Sequence, residues 1–341
     1  MKRYQSSMHG YSREKKMILS ETGDERRSTQ NTFQLLIVGL TVMIFVYAGI
    51  AAAAVTVKQK GYPSAEEAVK AFVVAIRSDN DKEVVSIFGP DAKEMIFSGD
   101  PVSDRQRREG FLNDYDTKNS LVQEGEKMIL IVGEKDWPFP IPLVKRGDLW
   151  FFDTKTGKQE ILNRRIGENE LDTIQTMLAI VDAEREYAMK DPEKSPYIEY
   201  TSKFESDPGK KNGLYWETKE GEEPSPLGEL VAKARAEGYF EDGKKRKPEP
   251  YHGYYFRMLK SQGKDAPDGA YDYIVNGQML GGFAVVAYPA KYGNSGVMTF
   301  IVNHDGVVYQ KDLGKNTGKI AAGMKKFDPD KTWKKVDQTT Q

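Results

Sequence analysis

Residues 33–57, FQLLIVGLTVMIFVYAGIAAAAVTV, form an uncharged apolar run in a chain of 341 residues, 30% of which are charged. A helix rises about 1.5 Å per residue, so about 20 residues cross the ~30 Å hydrocarbon core of a bilayer. The run therefore predicts a transmembrane helix, preceded by a polar tail at residues 1–32. The alternative is a signal sequence cleaved near Ala54, because residues 51–54 are the small residues that a cleavage site needs.

The charges beside this run predict its orientation, since Lys and Arg concentrate on the cytoplasmic side of a membrane span. The basic residues closest to its start are Arg13, Lys15, Lys16, Arg26 and Arg27, and those after its end are Lys58, Lys60 and Lys70. We therefore expect a bacterial inner-membrane protein with its C-terminal body in the periplasm, or a periplasmic protein if the run is cleaved. Translation from Met17 instead of Met1 would shorten the tail without changing this orientation.

The composition excludes several classes of function. The chain has no cysteine, which rules out disulfides, thiolate nucleophiles, cysteine zinc sites and a lipid-bearing N-terminal cysteine. Its 50 basic and 51 acidic residues nearly cancel, so no strong positive field recruits nucleic acid. We expect no cofactor and no metal, and the sequence leaves open whether the protein is an enzyme, although no intact catalytic motif favours one.

The body is predicted to be α+β, with two α+β domains at residues 62–157 and 160–333 and a polar tail at 334–341. In the first domain Ser64, followed by Glu66 and Glu67, is typical of a helix start. Further helices are predicted at 82–88 and 104–115, and strands at 128–132, 139–144 and 149–152. Helices followed by a curled antiparallel sheet suggest a cone like that of nuclear-transport-factor-like folds.

The second domain is predicted to start with a long helix over residues 168–189, whose apolar residues repeat at alternate intervals of three and four. A short helix at 227–237 follows. The predicted strands of an antiparallel sheet are 253–259, 282–288, 297–302 and 307–310, separated by Gly, Pro and Asn turns.

Five segments of the body resemble an exported bacterial family known as domain of unknown function twenty-nine-fifty. They are GEKDWPFPIP at 133–142, RRIGENEL at 164–171, PYHGYYF at 250–256, YDYIVNGQMLGG at 271–282 and MTFIVNHDGVVYQKD at 298–312. The resemblance extends over roughly residues 62–333. It implies export to the periplasm or cell envelope and supplies no catalytic residues.

The second domain alone also resembles the heads of type IV pilins and pseudopilins. The order of Glu186-Tyr187, the 252–256 segment, Ala287-Tyr288-Pro289 and His304-Asp305-Gly306 carries this similarity. It implies a long helix packed on an antiparallel sheet. The chain differs from pilins in placing a whole domain between the apolar run and that helix.

The segment WPFPIP at 137–142 is the first candidate binding surface. Prolines at every second position remove backbone donors along one edge, while Phe139 and Ile141 project together. With Trp137, these side chains form either a protected edge packed on the core or an exposed docking strip.

The two histidines of the body are further candidates for the binding surface. His252 lies in an aromatic run with Tyr254 and Tyr255, where a packed strand residue competes with a functional base. His304 and Asp305 lie between two apolar strands, where a tight turn competes with an acid-base or metal role.

These observations favour a non-enzymatic, membrane-tethered envelope protein that binds an envelope protein or structural component through its surfaces. The alternative is an envelope enzyme or small-ligand binder that uses a pocket in the first domain. Trp137, Phe139 and Trp150 would then line the pocket, with Asp136 or Asp153 as polar groups.

Overall fold

Two larger antiparallel sheets and the helices that pack on them make up the fold. The structure is a computed structural model that describes residues 58–190, 193–239 and 249–337. The predicted transmembrane helix at 33–57 and both polar tails, apart from 334–337, lie outside the described residues. Within the described ranges no helix is long and apolar enough to cross a membrane. The protein is α+β, with helices packed on antiparallel sheets, as the sequence predicts.

The first part of the described chain begins with four helices. They are α1 (Ala65–Arg77), α2 (Asp81–Phe88), α3 (Lys93–Ile96) and α4 (Pro101–Thr117), with a 3-10 turn at Pro90–Ala92. The Ser64 hydroxyl accepts a hydrogen bond from the Glu67 amide at 3.1 Å, which confirms the predicted helix start. Helix α4 begins three residues earlier than predicted, because Asp100 caps it and Pro101 fits its first turn.

The first sheet consists of β1 (Asn119–Glu124), β2 (Lys127–Val132), β3 (Trp137–Pro138), β4 (Leu143–Arg146) and β5 (Leu149–Phe152). Its order is β1-β2-β4-β5, all antiparallel, and β3 pairs with β2. The strand predicted at 139–144 is wrong in its first half, where the chain leaves the ladder. Pro138, Pro140 and Pro142 have no amide hydrogen, so a regular ladder cannot run through this segment.

Helix α5 (Thr154–Lys190) connects the two halves of the described chain. It starts 14 residues before the predicted position of 168, so the predicted boundary near residue 158 lies inside a continuous helix. Gly157 and Gly167 weakened the local helix signal, because glycine has a low helix propensity. The division into two domains stays a prediction, and the described residues all belong to one compact unit.

The second part contains α6 (Gly228–Ala236) and a five-stranded antiparallel sheet. The sheet order is β14-β13-β12-β11-β6. Its strands are β6 (Tyr254–Leu259), β11 (Ala284–Pro289), β12 (Met298–Asn303), β13 (Tyr309–Asp312) and β14 (Lys334–Lys335). Short pairs join β7 (Ser261–Gln262) to β8 (Tyr271–Asp272) and β9 (Ile274–Val275) to β10 (Gln278–Met279), and α7 (Thr317–Gly323) precedes β14.

Two hydrophobic cores lie on either side of α5. The first contains the buried faces of α1 and α2 and the inner face of the first sheet, and Ile161 of α5 packs against it. The second lies between the C-terminal half of α5, including Met177 and Val181, and the larger sheet. One helix thus contributes apolar side chains to both cores.

Buried polar groups also connect the two parts. A carboxylate oxygen of Asp100, at the start of α4, accepts hydrogen bonds from the Tyr239 hydroxyl and the Gly253 amide, each at 2.8 Å. Asn169 of α5 donates to the Ser295 carbonyl at 2.8 Å. Asp100, Asn169 and Ser295 are buried, so these bonds satisfy groups that would otherwise be costly to remove from water.

Candidate functional site

The WPFPIP segment lies between the solvent and the first core. Trp137 is 37% exposed, whereas Phe139 is 8% exposed and Ile141 is fully buried. Gly157 of α5 makes this packing possible, because a Cβ at that position would lie 2.4 Å from the Pro140 carbonyl oxygen. The segment therefore packs on the core through Phe139 and Ile141 and leaves the Trp137 ring at its edge.

A cavity of about 930 Å³ opens beside this segment. Its walls come from α4, from the residues after β2 and from the N-terminal half of α5. The apolar lining includes Phe72, Ile76, Val84, Phe88, Phe111, Phe139 and Ile161. The charged lining comprises Asp104, Arg107, Arg108, Asp114, Glu134, Lys135, Arg164, Arg165 and Glu168.

Aromatic rings form the floor of the cavity. The Phe72 ring centroid lies 4.8 Å from that of Phe88, 5.2 Å from that of Phe111 and 5.4 Å from that of Phe139. These separations are typical of favourable edge and tilted aromatic contacts. The rings pack on one another within the first hydrophobic core, and they also line the cavity.

Three arginines of the wall are held by carboxylates. Arg107 contacts Glu168 at 2.5 Å, bridging α4 and α5. Arg108 contacts Asp81 at 2.8 Å. Arg164 contacts Glu160 at 2.6 Å, and its guanidinium carbon lies 5.2 Å from the Trp137 ring centroid. Four of the nine charged lining residues, Arg107, Arg108, Arg164 and Glu168, are therefore in these ion pairs.

Asp104 and Arg165 are charged residues buried in the same wall, 9% and 4% exposed. The Ser98 amide donates to both carboxylate oxygens of Asp104, at 2.9 and 3.2 Å. Burial raises the pKa of Asp104, and these hydrogen bonds and the charge of Arg165 oppose that shift. Burial lowers the pKa of Arg165 to about 10, so the guanidinium remains charged at neutral pH.

The other residues predicted to form a pocket with Trp137 and Phe139 do not line the cavity. Trp150 lies in β5 and exchanges backbone hydrogen bonds with Tyr62. Asp136 forms an ion pair with Lys118 at 2.6 Å. Asp153 precedes α5 and accepts a hydrogen bond from the Thr156 hydroxyl at 2.6 Å. The cavity lining thus contains Trp137 and Phe139 of that set.

His252 lies in a hairpin turn before β6. His252 and Gly253 both have positive φ, 47° and 75°, as the two central residues of a type I′ turn require. The His252 imidazole lies 3.4 Å from an Asp172 oxygen and 3.1 Å from a Glu237 oxygen. The turn accounts for the backbone conformation, and the carboxylates hold the ring.

The aromatic neighbours of His252 in the sequence belong to the sheet. Tyr254 is fully buried, and its hydroxyl donates to the Met298 carbonyl at 2.9 Å. Tyr255 is partly buried, with its ring centroid 5.6 Å from that of Tyr288. Both therefore belong to the packing of β6 against its neighbours.

His304 and Asp305 lie in the turn between β12 and β13. The Gly306 amide donates to the Asn303 carbonyl at 2.9 Å, which closes a four-residue turn as predicted. The Asn303 side chain donates to Asp305 at 3.0 Å. Within the described ranges no group of three or more His, Asp or Glu side chains has the arrangement of a metal site.

The sequence analysis does not predict the charged cavity wall that α4 and α5 contribute. Ile161, Arg164, Arg165 and Glu168 follow the spacing i, i+3, i+4 and i+7, which places them on one face of a helix. This signal was present in the sequence. The helix predicted from residue 168 leaves out this face, because the helix in the structure begins at Thr154.

These features define an α+β protein whose helices and first sheet line an open amphipathic cavity. The chain belongs to the family described as Protein of unknown function (DUF2950), whose model matches residues 59–336. This match confirms the resemblance to domain of unknown function twenty-nine-fifty and its predicted extent. No significant similarity to curated proteins or to solved structures is found.

Proposed function

We propose that the protein binds a small, largely apolar molecule in the cavity between α4, α5 and the first sheet. The observation that carries this proposal is the cavity itself, about 930 Å³ in volume with a floor of phenylalanine rings. Ligand sites usually have volumes of 300–1,000 Å³ and combine an apolar lining with a few polar groups. The packing of α1 and α2 on the first sheet also supports a cone-shaped first module.

Burial of the proline-rich segment favours this function over docking through an exposed strip. Phe139 and Ile141, two of the three side chains named for that strip, are buried in the first core. Phe139 contributes to the floor of the cavity instead. Trp137 remains at the mouth, where it can contact both a ligand and the solvent.

We further propose that the protein acts in the bacterial cell envelope. The apolar run at 33–57 and the excess of basic residues before it support a membrane anchor, with the body on the periplasmic side. The packing of α5 on the larger sheet is compatible with a pilin-head-like second module. The N-terminal sequence of the protein recovered from membranes tests the anchor, because a start near residue 55 would show cleavage.

A thermal-shift screen of the full-length protein tests binding, since a ligand that binds only the native state raises the melting temperature. The screen uses apolar and amphipathic compounds, each present in large excess over the protein. We expect a subset of these compounds to raise the melting temperature. If none does so, the proposal is contradicted.

Two glycine substitutions locate the binding site. Gly110 of α4 lines the cavity, and a Cβ there would meet nothing within 4 Å, so Gly110→Leu adds at the cavity wall a side chain whose Cβ has open space. Gly167→Leu on α5 is the matched control, because Gly167 also has open space and does not line the cavity. The first change should abolish the ligand-induced shift and the second should preserve it. Preservation of the shift in Gly110→Leu would place the site elsewhere.

A further inference from the structure

The first sheet has an apolar face that no core covers. Successive side chains of a strand point to opposite faces, and Leu130, Leu143 and Phe152 point to the first core. The strand register places six apolar residues on the other face, called here the outer face: Val122, Ile129, Ile131, Val144, Leu149 and Phe151. None of the six is buried, and none packs against a hydrophobic core of the described chain. Val122 is 44% exposed and Leu149 is 41% exposed.

This composition is unusual for a solvent-facing sheet surface. When one face of an antiparallel sheet packs on a core, the other face is normally polar. Here Val122 lies opposite Ile129 and Val144 lies opposite Phe151, so apolar side chains are neighbours across the strands. The polar residues of the outer face lie at or next to strand ends, and they are Ser120, Glu124, Lys127 and Arg146. Exposed apolar patches of this kind mark sites of interaction with proteins or membranes.

The beginning of the described chain lies beside the outer face. A Cβ on Gly61 would lie 2.5 Å from the Phe151 ring and 3.1 Å from the Leu149 Cβ. Tyr62 exchanges backbone hydrogen bonds with Trp150 of β5, at 2.9 and 2.7 Å. Residues 61 and 62 therefore run along the β5 edge of the sheet, against two of the six apolar side chains.

The residues just before Gly61 are fixed to the body. The Gln59 side-chain amide donates to the Ile87 carbonyl at 3.2 Å and to the Phe152 carbonyl at 2.7 Å. The Lys60 ammonium contacts the Glu83 carboxylate at 2.6 Å. These bonds start at Gln59, so this part of the chain does not act as a flexible linker.

The distance along the chain between this attachment and the proposed anchor is very short. Gln59 follows Val57, the last residue of the apolar run, by two residues, which reach at most about 7 Å. The headgroup layer on each side of a bilayer is about 5–8 Å thick. An anchor at 33–57 therefore holds the β5 edge of the sheet at the headgroups, with the outer face beside the attachment point.

We propose that the outer face of the first sheet docks on the lipid surface of the membrane that holds the anchor. This inference rests on the proposed membrane anchor. It adds the surface that contacts lipid and the orientation of the body on the membrane. Val132 and Phe139 line the ligand cavity from the opposite side of the same sheet, so docking and ligand binding use different faces.

The absence of cysteine from the chain allows a site-specific test in the full-length protein. Val122→Cys and Leu149→Cys each place one bimane label on the outer face. Val275→Cys is the matched control, because Val275 is also a strand valine with 44% exposure, in β9 of the second part. The labelled proteins are reconstituted in vesicles of phosphatidylcholine and phosphatidylglycerol, with a nitroxide quencher on the headgroup of part of the phosphatidylcholine. We expect both outer-face labels to lose most of their fluorescence and the label at position 275 to lose little.

Flotation of the vesicles separates failure of the anchor from failure of docking. Protein that does not float with the vesicles would refute both the anchor and the docking. Protein that floats but shows equal quenching at all three positions would refute docking and leave the anchor intact. If the Val122→Cys variant does not fold, the comparison of Leu149→Cys with Val275→Cys still decides between these outcomes.

Discussion

The close approach of the WPFPIP segment to α5 predicts opposite effects for two alanine substitutions in one helix. A Cβ on Gly157 would lie 2.4 Å from the Pro140 carbonyl oxygen and 2.7 Å from the Ile141 Cα. Both atoms belong to the backbone, so neither can move as the end of a flexible side chain does. A Cβ on Gly167 would meet nothing within 4 Å.

The expected magnitudes follow from two opposing contributions. Alanine stabilises a helix interior by about 0.5–1 kcal/mol relative to glycine. An added methyl group that forces backbone shifts in a packed region costs about 1–3 kcal/mol. Gly157→Ala should therefore lower the free energy of unfolding by about 1–2 kcal/mol, whereas Gly167→Ala should raise it by about 0.5–1 kcal/mol.

Urea unfolding followed by tryptophan fluorescence measures both changes. Trp137, in the segment that packs on Gly157, is one of four tryptophans whose emission follows the loss of the fold. Similar stabilisation of the protein by both substitutions would show that the Pro140 backbone does not approach the helix closely. The packing of the cavity wall described above would then be incorrect.

Three further substitutions test other parts of the structure. Phe72→Ala removes the central ring of the cavity floor and should lower the free energy of unfolding by about 3–5 kcal/mol, measured by urea unfolding. Glu184 is fully buried, and burial raises its pKa well above the ordinary value of 4.5. The folded state therefore retains its proton more strongly than the unfolded state, so stability decreases as pH rises above about 4.5. Glu184→Gln should flatten this decrease in unfolding experiments between about pH 4 and 8, and an unchanged pH profile would contradict the assignment. Tyr239→Phe removes a hydrogen bond to the Asp100 carboxylate and should cost about 1.5–3 kcal/mol by calorimetry, whereas no loss would show that this bond contributes little.

The elements predicted from the sequence agree with the structure where local patterns are strong. The face of α1 that contains Ala68, Phe72 and Ile76 is buried as its helical spacing predicts. The predicted strand at 297–302 corresponds to β12 with a shift of one residue. The beginning of α5 was not predicted, because two glycines and many charged residues weaken the apolar pattern before residue 168. Packing of Ile161 on the first core stabilises that part of the helix, and such long-range contacts do not show in a local pattern.

The sequence predicts only some of the residues that line the cavity. Trp137 and Phe139 were named for a pocket, and both line the cavity. Arg107 and Arg165 were not named, because each is an ordinary charged residue in a charged helix until the fold shows its burial.

The sequence by itself determined the α+β class, several of the longer helices and strands, and the family, since these depend on spacing between near neighbours and on long strings of residues. Only the tertiary structure decided where the cavity lies and which charges face it. Its walls come from α4, the segment after β2 and α5, and no local pattern states which of these segments meet. The same holds for the burial of Arg165, because it depends on the positions of all its neighbours in space.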